Sequence, residues 1–216
     1  MGPESYLHAD AVEYDRLHAR AKGFFYIDRR FPDDVFRKAA SRTVFVDFDE
    51  ALSEYLWPAL SELAEIHGDE AVDLVAIEPE LGTLRFPAEW NVFPSFSLDV
   101  TASADEFRAA TSELSPDGIS QMIGDLSDVF AITGASGLWG CWGERPANVM
   151  AISAPESQEF QQWRRKFQEE WRDAYEALSL VARGARNMRL PISFVEPFVD
   201  NYMWTVGLRP LDLVAR

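Results

Sequence analysis

Residues 128–153 read DVFAITGASGLWGCWGERPANVMAIS, and the way this stretch is divided decides the fold. Residues 129–133 are apolar and partly β-branched, which suits a strand. GASG supplies turn residues that accept positive φ. LWGCWG reads as the return strand, ERPAN as a second turn, and VMAIS as a third strand, so the stretch predicts a three-stranded meander. Trp139 and Trp142 are an odd number of residues apart and so face opposite sides of a regular strand. The expectation is one tryptophan in the core and one exposed as an anchor for a partner.

The same letters carry the spacing TGxxGxxG, from Thr133 to Gly140. This resembles the cofactor fingerprint of extended short-chain dehydrogenases, where a helix must follow the loop and meet the pyrophosphate. Gly140, Gly143 and Pro146 interrupt the positions that helix would occupy. The hairpin reading therefore stands.

Outward from the hairpin, period and punctuation assign the rest. Residues 43–48 (TVFVDF) and 72–77 (VDLVAI) read as strands. Residues 9–22 form a polar helix ended by Gly23, FFYI a short strand, and DDVFRKAA a helical turn or two. Leu52, Leu56, Leu60, Leu63 and Ile66 recur at helical spacing, with Pro58 bending or restarting that helix. FPSFSLDVT alternates and predicts a strand with one wet face. Ser103 with Glu106 and Ser153 with Glu156 are capping-box patterns. Ser115-Pro116 suits another helix start. One long helix is expected over 156–183, with Phe160, Trp163, Phe167, Trp171, Ala174, Leu178 and Val181 on one stripe and Gly184 as its stop. YMWTVGL (202–208) reads as a last strand. No repeat or linker divides the 216 residues. The expectation is a single α+β domain over 1–216, with an antiparallel or mixed central sheet and helices packed mainly on one face.

The charge is uneven. Net charge is −16, yet residues 47–160 hold 22 acids and three bases, Arg85, Arg108 and Arg145, giving −19. The two ends hold 14 acids and 17 bases, giving +3. Such a field repels phosphate and anionic lipid, which argues against nucleic-acid and membrane partners, and it attracts a basic protein. The N-terminal residues lack a basic segment followed by an apolar one, and a lone Cys141 forms neither an internal disulfide nor a multi-cysteine zinc cluster. A cytoplasmic protein is expected.

SGLWGCWGERPANVMAIS (136–153) resembles the S-G-x-W-G-x-W-x-E-R hairpin of acidic bacterial proteins that include immunity proteins of polymorphic toxin systems. The resemblance implies a non-catalytic module that binds and occludes a basic toxin, with no cofactor. Trp142, Glu144 and Trp139 are then the candidate contacts. A second resemblance lies in VFVDFDEAL (44–52), which is similar to the first motif of haloacid-dehalogenase phosphatases. It implies Asp47 as nucleophile and Asp49 as general acid–base beside Mg²⁺, with Thr133 and Lys166 completing the set and Glu196 or Asp200 as the late acid. The plainer reading places Asp49 as a cap of the following helix and Asp47 at a strand end. His8, His18 and His67 show no metal-ligand spacing, and Cys141 suits a buried, inert thiol.

Overall fold

The central strands read as unbroken apolar runs because both of their sides are covered. The computed structural model describes residues 5–37, 41–185 and 189–202. In chain order it contains α1 (Ala11–Phe24), β1 (Ser41–Asp47), α2 (Phe48–Ala51), α3 (Trp57–Ile66), β2 (Ala71–Glu78), α4 (Phe86–Trp90), β3 (Ser95–Asp99), α5 (Ala104–Thr111), β4 (Val129–Gly134), β5 (Gly140–Glu144), β6 (Val149–Pro155), α6 (Gln158–Lys166), α7 (Ala174–Gly184) and α8 (Ile192–Tyr202). The strands form one sheet in the order β1-β6-β5-β4-β2-β3, antiparallel throughout. The architecture is α+β, and the meander over 128–153 forms as its spacing predicts.

Helices cover both faces of the sheet rather than mainly one. On the first face Val44, Val46, Leu74, Phe96, Phe130, Ile132, Trp139 and Ile152 pack under α2, α3, α5 and α6. On the second, Phe45, Val75, Ala131, Trp142, Val149 and Ala151 pack under α1, α7 and α8. Topology dictates part of this layering. β1 and β2 run the same way with three strands between them, so the connection α2–α3 must cross a face. The link from β3 to β4 carries α5 across the same face.

The long helix expected over 156–183 is two helices. α6 places Phe160 and Trp163 on the first face, whereas α7 places Ala177 and Leu180 on the second. A straight helix cannot serve both. Between them the chain rounds the free edge of β1, where Phe45 and Arg172 exchange two backbone hydrogen bonds of 2.8 and 2.6 Å. Asp173 and Glu176 form the capping box that restarts α7. Ser157, not Ser153, caps α6, because Ser153 is still in β6. Pro58 sits in the first turn of α3, where its missing N–H costs nothing. Residues 115–121 form turns closed by a Leu114–Gln121 bridge instead of a helix. The stretch DDVFRKAA is likewise not helical over its described part, where Phe36 bridges Phe25. The strand expected at 202–208 lies outside the described residues, save Tyr202, which ends α8.

The glycines of 134–140 serve the hairpin. Gly137 takes φ +60 in the turn. A Cβ at Gly134 would collide with the Asp69 carboxylate, and one at Gly140 with the rings of Phe24 and Phe25. Asp69 fills the loop: its carboxylate accepts hydrogen bonds from Ser136 N, from Ser136 Oγ at 2.8 Å and from Trp139 Nε1 at 2.8 Å. Replacing Asp69 by Ala would leave the buried indole N–H without a partner and loosen the hairpin tip. The expected cost is about 3 kcal/mol, read as a lowered urea midpoint at unchanged slope, with Asp69→Asn costing clearly less because one acceptor remains.

Candidate functional site

Two features stand out chemically: an acidic helix layer and a buried carboxylate at a cleft. The tryptophans proposed as contacts belong to neither surface. Trp139, just before β5, and Trp142, within it, do face opposite sides of the sheet, but each is 0 % exposed. The expectation of one exposed tryptophan assumed one helix layer; with two layers, both sides of β5 are interior. Glu144 is also buried, at 3 % exposure. Trp139, Trp142 and Glu144 are thus framework, and none offers surface to a partner.

Glu144 ends β5, where its carboxylate accepts from Trp142 Nε1 at 2.7 Å and from Phe31 N at 3.0 and 3.2 Å to its two oxygens. Burial pushes its pKa up to about 7, against the lowering effect of these two donors and of Arg30; nearby Glu78 raises it further. Arg30 is ion-paired to Glu78 and lies over the Trp142 ring. The hairpin resemblance implies Glu144 as a surface contact, and the structure buries it instead. The useful signal was its neighbour in the alternation, since Glu144 shares a strand side with Trp142.

The residues implied by the phosphatase resemblance are not brought together. Asp47 Oδ1 caps α2 by accepting from Asp49 N at 3.1 Å, and Asp49 is exposed. Asp47 is level with Val149, Glu144 and Val129 across the sheet, while Thr133 lies four residues further along β4. Three strand spacings and four residues separate the two by about 14 Å and about 13 Å in perpendicular directions. Lys166 is ion-paired to Glu62 at the first face, and Glu196 and Asp200 are exposed on α8. Among the described residues no group of three or more His, Cys, Asp or Glu side chains is arranged to hold a metal ion. Cys141 is fully buried, and burial pushes its thiol well up, so it is no thiolate near neutrality. Burial lowers the pKa of His8, His18 and His67.

The acidic block resolves into two parts. Bases from both chain ends reach it: Arg20 pairs with Asp73, Arg30 with Glu78 and Arg42 with Glu156, while Arg183 lies 4.0 Å from Asp47. Those acids lie in or beside strands. On the first-face helices Glu62 receives a base from a chain end, Lys166. Residues 48–70 contain seven acids and no Lys or Arg, and residues 100–127 contain five acids and one Arg. Asp49, Glu50, Glu65, Asp105 and Glu106 are exposed there. Tyr55, Leu114 and Ile119, in the turns of this layer, are 74 %, 54 % and 77 % exposed.

No protein-family model matches the chain, and no curated protein or solved structure shows significant similarity to it. Among the described residues no helix is long and apolar enough to cross a membrane.

The raised pKa of Glu144 makes a stability prediction. The folded state holds this proton up to about pH 7, whereas an unfolded glutamate releases it near 4.5. Glu144 therefore lowers stability as pH rises through that window, by up to about 3 kcal/mol, and the loss is complete above it. Urea denaturation of the wild type and of Glu144→Gln should give stabilities that diverge between pH 4.5 and pH 8, the variant gaining relative to the wild type. Parallel pH profiles would show that the proton is released at the ordinary value.

Proposed function

We propose that the protein is a cytoplasmic, non-catalytic binding module that docks a cationic macromolecule on its first face. The observation that carries this reading is the one-sided charge of α2, α3 and α5. The two crossover connections that build this layer come from the acidic middle of the chain, and four bases of the chain ends, Arg20, Arg30, Arg42 and Arg183, lie against acids in or beside the strands. Clustered like charge of this kind raises the encounter rate with a basic partner and falls off over a Debye length of about 8 Å at physiological salt. Tyr55, Leu114 and Ile119 supply apolar area among the acids, which suits contact formation after steering.

The hairpin resemblance gives this reading its specific form. An immunity protein that occludes a basic toxin needs a rigid acidic surface and no turnover. The contacts then fall on the helix layer, with Trp139, Trp142 and Glu144 supporting it from within.

Decalysine is a direct probe of the charged layer. Added at low salt to isotopically labelled protein, it should shift amide resonances of residues 48–70 and 100–127, and about 0.5 M salt should abolish the shifts. Reversing Glu50, Glu65 and Asp105 together to Lys should weaken binding at least tenfold. Reversing Glu196 and Asp200 on α8 should change it less than twofold. Shifts spread evenly over α1, α7 and α8, or equal losses from both sets, would reject the first face as the docking surface.

A further inference from the structure

A cleft of about 430 Å³ opens on the second face, at the end of the sheet where β2 and β5 finish and β4 begins. Its volume lies within the range of small-molecule sites. The walls are apolar: Val129 from β4, Val181 from α7, Leu190 from the segment that leads into α8, and Phe194 from its first turn. The polar groups are Glu144, Glu78 and Arg30. The acidic first-face layer contributes none of these residues.

The hydrogen bonding of these three groups selects the charge of a ligand. Arg30 is already paired with a carboxylate, Glu78. Its Nη1 donates to the backbone oxygens of Ile27, at 2.8 Å, and Arg29, and its Nη2 pairs with Glu78. Glu144 takes two donors, Trp142 Nε1 and Phe31 N. An ionised carboxylate has about four lone-pair positions, so acceptor capacity remains at its Oε2. With Glu78 and Arg30 neutralising each other, the cleft carries the charge of Glu144 alone. Apolar walls around one underused carboxylate match a ligand with a hydrocarbon body and one ammonium group.

We infer that this cleft is a binding site for a small organic amine, an alkylamine or arylalkylamine whose ammonium pairs with Glu144 while its apolar chain lies against Val181, Leu190 and Phe194. Burial holds the carboxyl partly protonated near neutrality, with Arg30 offsetting it only in part. The ammonium replaces that proton, so binding releases a proton and strengthens as pH rises. The other ionisable groups around Glu144 work within these limits. Arg30 and Glu78 are paired, and the Tyr202 hydroxyl, whose own pKa is pushed well above its usual value mainly by burial, stays neutral.

Hexylamine is the probe, with hexanol and hexanoate as matched controls. Calorimetric titration of the full chain should show saturable hexylamine binding, about tenfold tighter at pH 8 than at pH 6, with proton release at the lower pH. Hexylamine stays cationic across this range, so the pH dependence belongs to the protein. Hexanol should bind weakly and hexanoate not at all. Glu144→Gln keeps an acceptor for Trp142 and Phe31 but removes the charge; it should lose at least tenfold in affinity and all pH dependence. Phe194→Ala should weaken binding while keeping the pH dependence. The Trp142 indole N–H resonance reports on the site directly and should move with hexylamine in the wild type. No saturable binding, equal binding of hexanoate, or unchanged affinity in Glu144→Gln would overturn the assignment.

Discussion

The fold depends on what β5 does with two indole N–H groups. Trp139, the residue before β5, and Trp142, within it, point to opposite faces of the sheet, and both are fully enclosed. A buried indole N–H without an acceptor costs roughly 1–3 kcal/mol, so each tryptophan requires a partner. Asp69 serves Trp139 and Glu144 serves Trp142. Each carboxylate also reaches a second segment. Asp69 holds Ser136 of the hairpin turn from its place between α3 and β2, and Glu144 holds Phe31 N on the path from α1 to β1. One central strand thereby fixes the tip of the meander against one layer and the N-terminal segment against the other. Gly140 and Gly143 complete the arrangement, since side chains there would strike Phe24 and Phe25 on one face and Phe130 on the other.

The charge pattern follows from topology. The two connections that cross the first face are residues between β1 and β2 and between β3 and β4, all from the acid-rich middle of the chain. The second face is built by α1, α7 and α8, from the ends where acids and bases nearly balance. Bases of those ends pair with acids at the sheet's margins and leave the outer surfaces of α2, α3 and α5 negative. From the chain ends α6 brings Arg164, Arg165 and Lys166 to the first face, where Lys166 pairs with Glu62. These three bases offset the field along the α6 edge of the face, and the acids of α2, α3 and α5 lie beyond that edge.

Much of this was legible from residue order. The meander, the α+β class, the Ser103–Glu106 capping box and the restart at Pro58 follow from local chemistry. The second helix layer was missed, although VFAIT and VMAIS pointed to it: their residues are apolar on both parities, the mark of a strand covered on both sides. The single stripe from Phe160 to Val181 concealed a change of face, because helical spacing does not register which side of the sheet a helix lies on. Asp173 and Glu176, a capping box within that stripe, were the signal of the break. The cleft was not legible at all. It joins residues from 30, 78, 129, 144, 181, 190 and 194, and no local pattern ties such distant positions together.

Asp69 and Glu144 hold equivalent places, each buried under a tryptophan, yet their surroundings give them different chemistry. Three donors converge on Asp69 from one tight turn, and its work is finished within the hairpin. Glu144 has two donors and opens onto a cavity. A glutamine at 144 would accept the same two hydrogen bonds without the cost of burying a charge, which two neutral donors offset only in part. Folding alone therefore does not call for an ionisable group at this position. What the carboxylate adds over the amide is a negative charge that forms when something positive enters the cleft, and that links the strand supporting both helix layers to the cleft beside it.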